Sequence, residues 1–120
     1  MAGVLALVLT MTLTVYTPRA GGINGGHITA NGHEVATGMC ACGFAIPFDT
    51  VFILPEEAQA AGLPRRVVCM DRGSMVGNHN LDIALVSDNV KADLKTAFAW
   101  GRRKVSVAIQ KPHRHEFVAE

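Results

Sequence analysis

Residues 67–84 read VVCMDRGSMVGNHNLDIA. Two apolar runs, Val67 to Met70 and Leu81 to Val86, have the β-branched and aliphatic content of strands. A turn rich in Gly and Asn separates them. Asp71 closes the first run and Asp82 sits inside the second, between Leu81 and Ile83. A carboxylate inside an aliphatic strand costs free energy unless it is paired or put to use. Two carboxylates brought together by the intervening turn raise the pKa of one of them. A carboxyl group kept protonated near neutral pH is what a general acid requires. The competing reading is structural: Asp71 binds loop amides and Asp82 pairs with Arg72 or Arg102.

Outward from this segment, the chain reads as short strands joined by tight turns. Leu9, Met11, Leu13 and Val15 alternate with Thr10, Thr12 and Thr14, the period-2 pattern of a first strand. Residues 19–34 hold five glycines and form a long loop, on which His27 and His33 read as surface residues. A short strand is expected between Val35 and Cys42, a turn or strand edge at Phe44 to Ile46, and a strand at Thr50 to Leu54. Pro55, Glu56 and Glu57 open a short helix that runs to Ala61 and stops at Gly62. Ser87 is the expected N-cap of a second helix from Asp88 to Trp100, with Val90, Leu94, Ala97 and Phe98 on its apolar face. Gly101 ends it, and Lys104 to Ile109 alternates as the last strand.

Composition narrows the classes. The 120 residues allow one domain, with a barrel core at about 8–110 and a polar tail at 111–120 that carries His113 and His115. Hydrophobic residues at 49% against 18% charged exclude a disordered chain. A formal charge of +1 argues against a nucleic-acid partner, which calls for a basic face. The apolar N-terminal run is too short and too threonine-rich for a transmembrane anchor, and it lacks the basic start of a secretory signal. Cys40, Cys42 and Cys69 are an odd set with no common zinc spacing, so they read first as small buried hydrophobes rather than a secreted disulfide scaffold, with a metal or redox role shared with nearby histidines as the weaker alternative.

The segment DRGSMVGNHNLDIAL resembles the D-x-G-x-x-x-x-G-x-x-x-D core of the three-Asp (3D) domain, found in bacterial cell-wall proteins and in MltA-type membrane-bound lytic transglycosylases. Other matches follow in order. TVYTP (residues 14–18) is similar to T-A-Y-T-P, and Thr29-Ala30-Asn31-Gly32 to T-A-T-G, with Val35-Ala36-Thr37-Gly38 an equal candidate for that place. Ala45-Ile46-Pro47-Phe48-Asp49-Thr50 looks like V-I-P-L-G-T, and Trp100-Gly101-Arg102-Arg103-Lys104-Val105 like the closing W-G-R-R-x-V. The first acid of the family pattern is missing: Cys42 or Gly43 stands in its place, and Arg72 stands where Thr or Ser is commoner.

The resemblance, to the RlpA-like double-psi β-barrel group, implies a mainly β fold: a six-stranded double-psi β-barrel with one or two short helices. It implies Asp82 as a single acid/base that cleaves the glycan strand of peptidoglycan and leaves a 1,6-anhydro ring, with Asp71 supporting the geometry. Arg72, Gly73, Gly77, Asn78, His79 and Asn80 would lie along the sugar, and Asp71 and Asp82 would line one open groove. No cofactor or metal is implied. The alternative is a non-catalytic glycan-binding or structural subunit of a phage tail or other virion assembly. The expected setting is a virion or the bacterial cell envelope.

Overall fold

Period-2 alternation is realised in six strands of a computed structural model, which describes residues 6–18, 28–73 and 75–110. The strands are β1 (Ala6–Tyr16), β2 (Met39–Cys42), β3 (Val51–Ile53), β4 (Arg66–Asp71), β5 (Asn80–Ala84) and β6 (Arg103–Gln110). Helix α1 (Glu56–Ala60) lies between β3 and β4, and α2 (Val90–Trp100) between β5 and β6. The strands close into a barrel in the order β1-β5-β2-β4-β3-β6.

The pairing has an internal symmetry. Exchanging β1, β2 and β3 for β4, β5 and β6 leaves it unchanged. The parallel pair β1–β5 becomes the parallel pair β4–β2, and antiparallel β1–β6 becomes antiparallel β4–β3. The pairs β2–β5 and β3–β6 map onto themselves. Two three-strand halves are thus interlocked, each lending a parallel neighbour to the other, as the double-psi reading predicts.

The core follows from the alternation. Met11 and Leu13 of β1, Cys40 and Cys42 of β2, Phe52 of β3, Val67 and Cys69 of β4, Leu81 and Ile83 of β5, and Val105 and Val107 of β6 fill the interior. Their partners in the alternation point away from it. Helix α2 is fixed by Trp100, which is 2% exposed and donates its indole N–H to the Leu13 carbonyl at 3.0 Å. The Arg103 guanidinium lies 4.2 Å from the Trp100 ring.

Three expectations need correction. Helix α2 begins at Val90, and its N-cap is Asn89, whose Oδ1 accepts from the Ala92 amide at 2.9 Å. Ser87 instead donates from Oγ to the Asp93 carboxylate at 2.9 Å. Phe98 is 81% exposed because the helix turns about 100° per residue, which sets it opposite Trp100. The cysteines are not all free: Cys42 and Cys69 form a disulfide with Cα atoms 5.9 Å apart, and Cys40 remains a buried thiol. An odd count forbids complete pairing; β2 and β4 are neighbours, and the bond joins Cys69 to Cys42, two residues beyond its register partner Cys40. His27, His113, His115 and the whole of 111–120 lie outside the described residues.

Candidate active site

One register row carries the chemistry. Across β1-β5-β2-β4 the aligned residues are Thr14, Asp82, Ala41 and Asp71. On β5, Leu81 and Ile83 enter the core, so Asp82 between them faces outward. By simple alternation Asp71 would face inward with Val67 and Cys69. It does not, because the β2–β4 register shifts between Cys40 and Ala41. Cys40 pairs with Cys69 but Ala41 pairs with Asp71, leaving Met70 as the extra residue. Such a bulge re-aims the next side chain, and here it brings Asp71 to the face that carries Asp82. Two strand spacings put the two Cα atoms about 10 Å apart, with small Ala41 between them.

The two carboxylates differ in environment. Asp71 is 5% exposed. Its Oδ1 accepts from the Ala30 and Arg72 amides, both at 2.8 Å, and the Tyr16 hydroxyl approaches Oδ2 at 3.5 Å. Asp71 therefore lies beneath the surface, which corrects the expectation that both aspartates line an open groove. Asp82 is half-buried and accepts from the Thr14 hydroxyl at 2.8 Å. Burial pushes its pKa above the ordinary carboxylate value; the Thr14 bond opposes this and the charge of Asp71 adds to it. Burial and the same two carboxylates also raise the Tyr16 phenol, first by burial. The Cys40 thiol is pushed up to about 12, chiefly by burial and then by Asp82.

The loop residues divide in the same way. Arg72 is turned toward residues 43–48. Its Nη2 donates to the Ile46 carbonyl at 2.7 Å and its Nη1 to Cys42 Sγ and Cys69 Sγ at 2.7 and 3.0 Å. The guanidinium lies 4.1 Å from the Phe48 ring and 5.7 Å from the Phe44 ring. Asn78 Oδ1 accepts from the Ala45 amide at 3.0 Å, and a Cβ on Gly43 would fall 2.7 Å from the Asn78 Cα and N. The 43–48 turn is thereby stapled to the 72–80 turn. A Cβ on Gly73 would fall 2.8 Å from Val76 Cγ2, so the Val76 side chain would have to shift to admit one. Asn78 and His79 are exposed, Gly77 is exposed, and Asn80 begins β5 opposite Thr12.

Of the two candidate segments for T-A-T-G, residues 29–32 are the ones beside the aspartates: Ala30 binds Asp71 and the Asn31 amide donates to the Met70 carbonyl at 3.1 Å. Thr37 is engaged with Val86 instead. Sequence reasoning did not single out Thr14 and Tyr16 as site residues. Their period-2 spacing and their place in TVYTP were the available signal. Among the described residues, no three His, Cys, Asp or Glu side chains converge as a metal set would, and no helix is long and apolar enough to cross a membrane.

The fold has counterparts among solved structures. The fold is similar to the crystal structure of MltA from E. coli, with a TM-score of 0.53 and 18% identity over 72% of this chain and 28% of that one. A second MltA crystal structure, described as revealing a unique lytic transglycosylase fold, gives 0.53 at 17% identity over 74% of this chain and 28% of that chain. An apo form of an Asp-to-Ala variant of the same lytic transglycosylase gives 0.51 at 14% identity over 74% of this chain. The chain thus spans little more than a quarter of the length of the enzyme it matches. No family model and no curated protein sequence matches it.

Proposed function

We propose that this barrel is a lytic transglycosylase-like module that cleaves the glycan strand of peptidoglycan, with Asp82 as its single acid/base. The observation that carries this reading is the environment of Asp82. It is an outward-facing, half-buried carboxyl whose burial and neighbouring Asp71 favour the protonated form. Protonated Asp82 gives its proton to the glycosidic oxygen between N-acetylmuramic acid and N-acetylglucosamine as the C1–O bond breaks. The carboxylate so formed takes the proton from the muramoyl C6 hydroxyl, whose oxygen bonds to C1. The ring closes as a 1,6-anhydro sugar, and Asp82 regains its proton. No water is consumed, so a second carboxylate at the spacing of a hydrolase is not needed. Asp71 acts from below by holding Ala30 and Arg72. Exposed Asn78 and His79 are the donors nearest the sugar in this reading, and Gly77 keeps the turn low.

The resemblance of the Asp71–Asp82 segment to the three-Asp domain supports the assignment, as does the barrel shared with MltA. The module would work in the cell envelope, or on a virion that meets it. Digestion of purified sacculi tests the reading. The protein is expected to release 1,6-anhydromuropeptides, and Asp82→Asn to release none. Equal release by both proteins would remove Asp82 from the mechanism.

A second reading has one observation of its own. Leu7, Val8 and Leu9 of β1 are exposed in succession, at 55%, 66% and 37%. A non-catalytic subunit of a tail or other assembly would bury such a run against a neighbour. Sacculus binding without fragment release would favour it.

A further inference from the structure

Strand β1 presents two hydroxyls on one face, and each meets one of the carboxylates. Met11 and Leu13 point into the core, so Thr14 and Tyr16 share the outward side. Thr14 Oγ1 donates to Asp82 Oδ1 at 2.8 Å, and Tyr16 Oη approaches Asp71 Oδ2 at 3.5 Å. The Thr14–Asp82 pairing is fixed by the parallel register, which runs from Thr12 with Asn80 to Tyr16 with Ala84. A slip of one residue would turn Leu81 and Ile83 out of the core. The β-branched side chain of Thr14 also has few rotamers open to it.

From this arrangement we infer that Thr14 is a positioning residue for the acid, holding Asp82 Oδ1 as a standing acceptor so that the exchangeable proton resides on Oδ2. The inference rests on the reading of Asp82 as acid/base. A donor aimed at Oδ1 needs a lone pair there in both protonation states. A proton placed on Oδ1 would compete with that bond, whereas Oδ2 can lose and regain one without disturbing it. Oδ2 is then the atom that gives the proton to the glycosidic oxygen and receives it from the C6 hydroxyl.

The titratable neighbours explain why such a bond matters. Tyr16 on β1, Cys40 on β2 and Asp71 on β4 surround Asp82, and none of them supplies positive charge when ionised. The adjacent cation, Arg72, is directed to the 43–48 turn and the two sulfurs. Thr14 is thus the neighbour that favours the ionised carboxylate, against burial and Asp71. It keeps a raised carboxyl able to give up its proton.

The test is a carboxyl-carbon NMR titration of aspartate-labelled protein, with the Asp82 signal assigned by its absence in Asp82→Asn. Asp82 is expected to titrate at higher pH in Thr14→Val than in the wild type, and to return to the wild-type position in Thr14→Ser. Thr14→Ala serves as a second donor-less variant in case the valine protein does not fold. Titration of Asp82 at or below the wild-type pH in the donor-less variants would overturn the inference. Sacculus digestion is run beside it. Where the wild type cleaves, the pH profile of the donor-less variant should move in the same direction as its titration, and the serine variant should restore it. Where the wild type cleaves nothing, the catalytic role falls with the reading beneath it. The titration, taken without substrate, still decides whether Thr14 sets the ionisation of Asp82.

Discussion

Asp71 and Asp82 are the same side chain two strands apart on one register row, and the barrel treats them in opposite ways. Asp71 is covered and satisfied: two backbone amides hold one oxygen at 2.8 Å, and the Tyr16 hydroxyl lies near the other. Asp82 keeps a partly open face: the Thr14 hydroxyl donates to its carboxylate, and burial raises its pKa. Charge alone therefore does not mark the group proposed to react. A carboxylate that accepts from fixed amides is a brace for the loops that donate to it. A carboxyl left under-solvated, with a second carboxylate nearby, is one whose protonated form is favoured.

The contrast can be broken from either side. The largest effect is expected at Asp82. Asp82→Asn should lower anhydromuropeptide release by at least about 100-fold, the lower end of what a positioned acid/base contributes, while thermal unfolding shows the barrel intact. The next falls on the β2–β4 pair that carries Asp71. Reducing the Cys42–Cys69 disulfide, which closes 27 residues of chain, should cost about 3.5 kcal/mol of stability by the loop-entropy model. Denaturant titration with and without reductant would measure it. Asp71→Ala leaves the Ala30 and Arg72 amides without their acceptor and should cost about 2–4 kcal/mol, with the same titration as the readout.

A smaller effect concerns pH. The folded-state pKa of Asp82 is raised above its unfolded value, so the native protein binds the proton more tightly. The stability linked to Asp82 is therefore largest in acid, and is lost as pH rises from the ordinary carboxylate value through the raised one. Asp82→Asn removes this slope. Comparison of the two proteins' melting temperatures across that range would reveal it, and identical profiles would contradict the raised pKa. The smallest effect is at Asp49, which has φ of +73° in the place where the related pattern has Gly. Asp49→Gly should stabilise the barrel by up to about 1 kcal/mol, again by denaturant titration.

Much of this fold was legible because hydrophobic alternation survives in short strands. Met11 and Leu13 in β1, and Leu81 and Ile83 in β5, declare both their strand and their inner face. The spacing of Asp71 and Asp82 around a Gly-rich turn declared the pair. What the pattern could not carry was the bulge at Met70. Strict alternation from Val67 through Cys69 sends Asp71 inward, and only the pairing with β2 reveals the shift that brings it beside Asp82. The disulfide was hidden for a related reason, since it depends on which strands become parallel neighbours. Helix α2 departs from its pattern at Phe98 because a short amphipathic pattern does not say which of two apolar residues will find the barrel. Trp100 does so because its indole N–H reaches the Leu13 carbonyl. Arg72 reads as a loop residue; its contacts with the rings of Phe44 and Phe48, distant in sequence, are not visible in that pattern.

The most direct test of the central claim, that Asp82 cleaves without water, is digestion of sacculi in ¹⁸O-labelled water with mass spectrometry of the fragments. Unlabelled 1,6-anhydromuramoyl ends are expected from the wild type and none from Asp82→Asn. Reducing ends carrying ¹⁸O, or no fragments from the wild type, would contradict it.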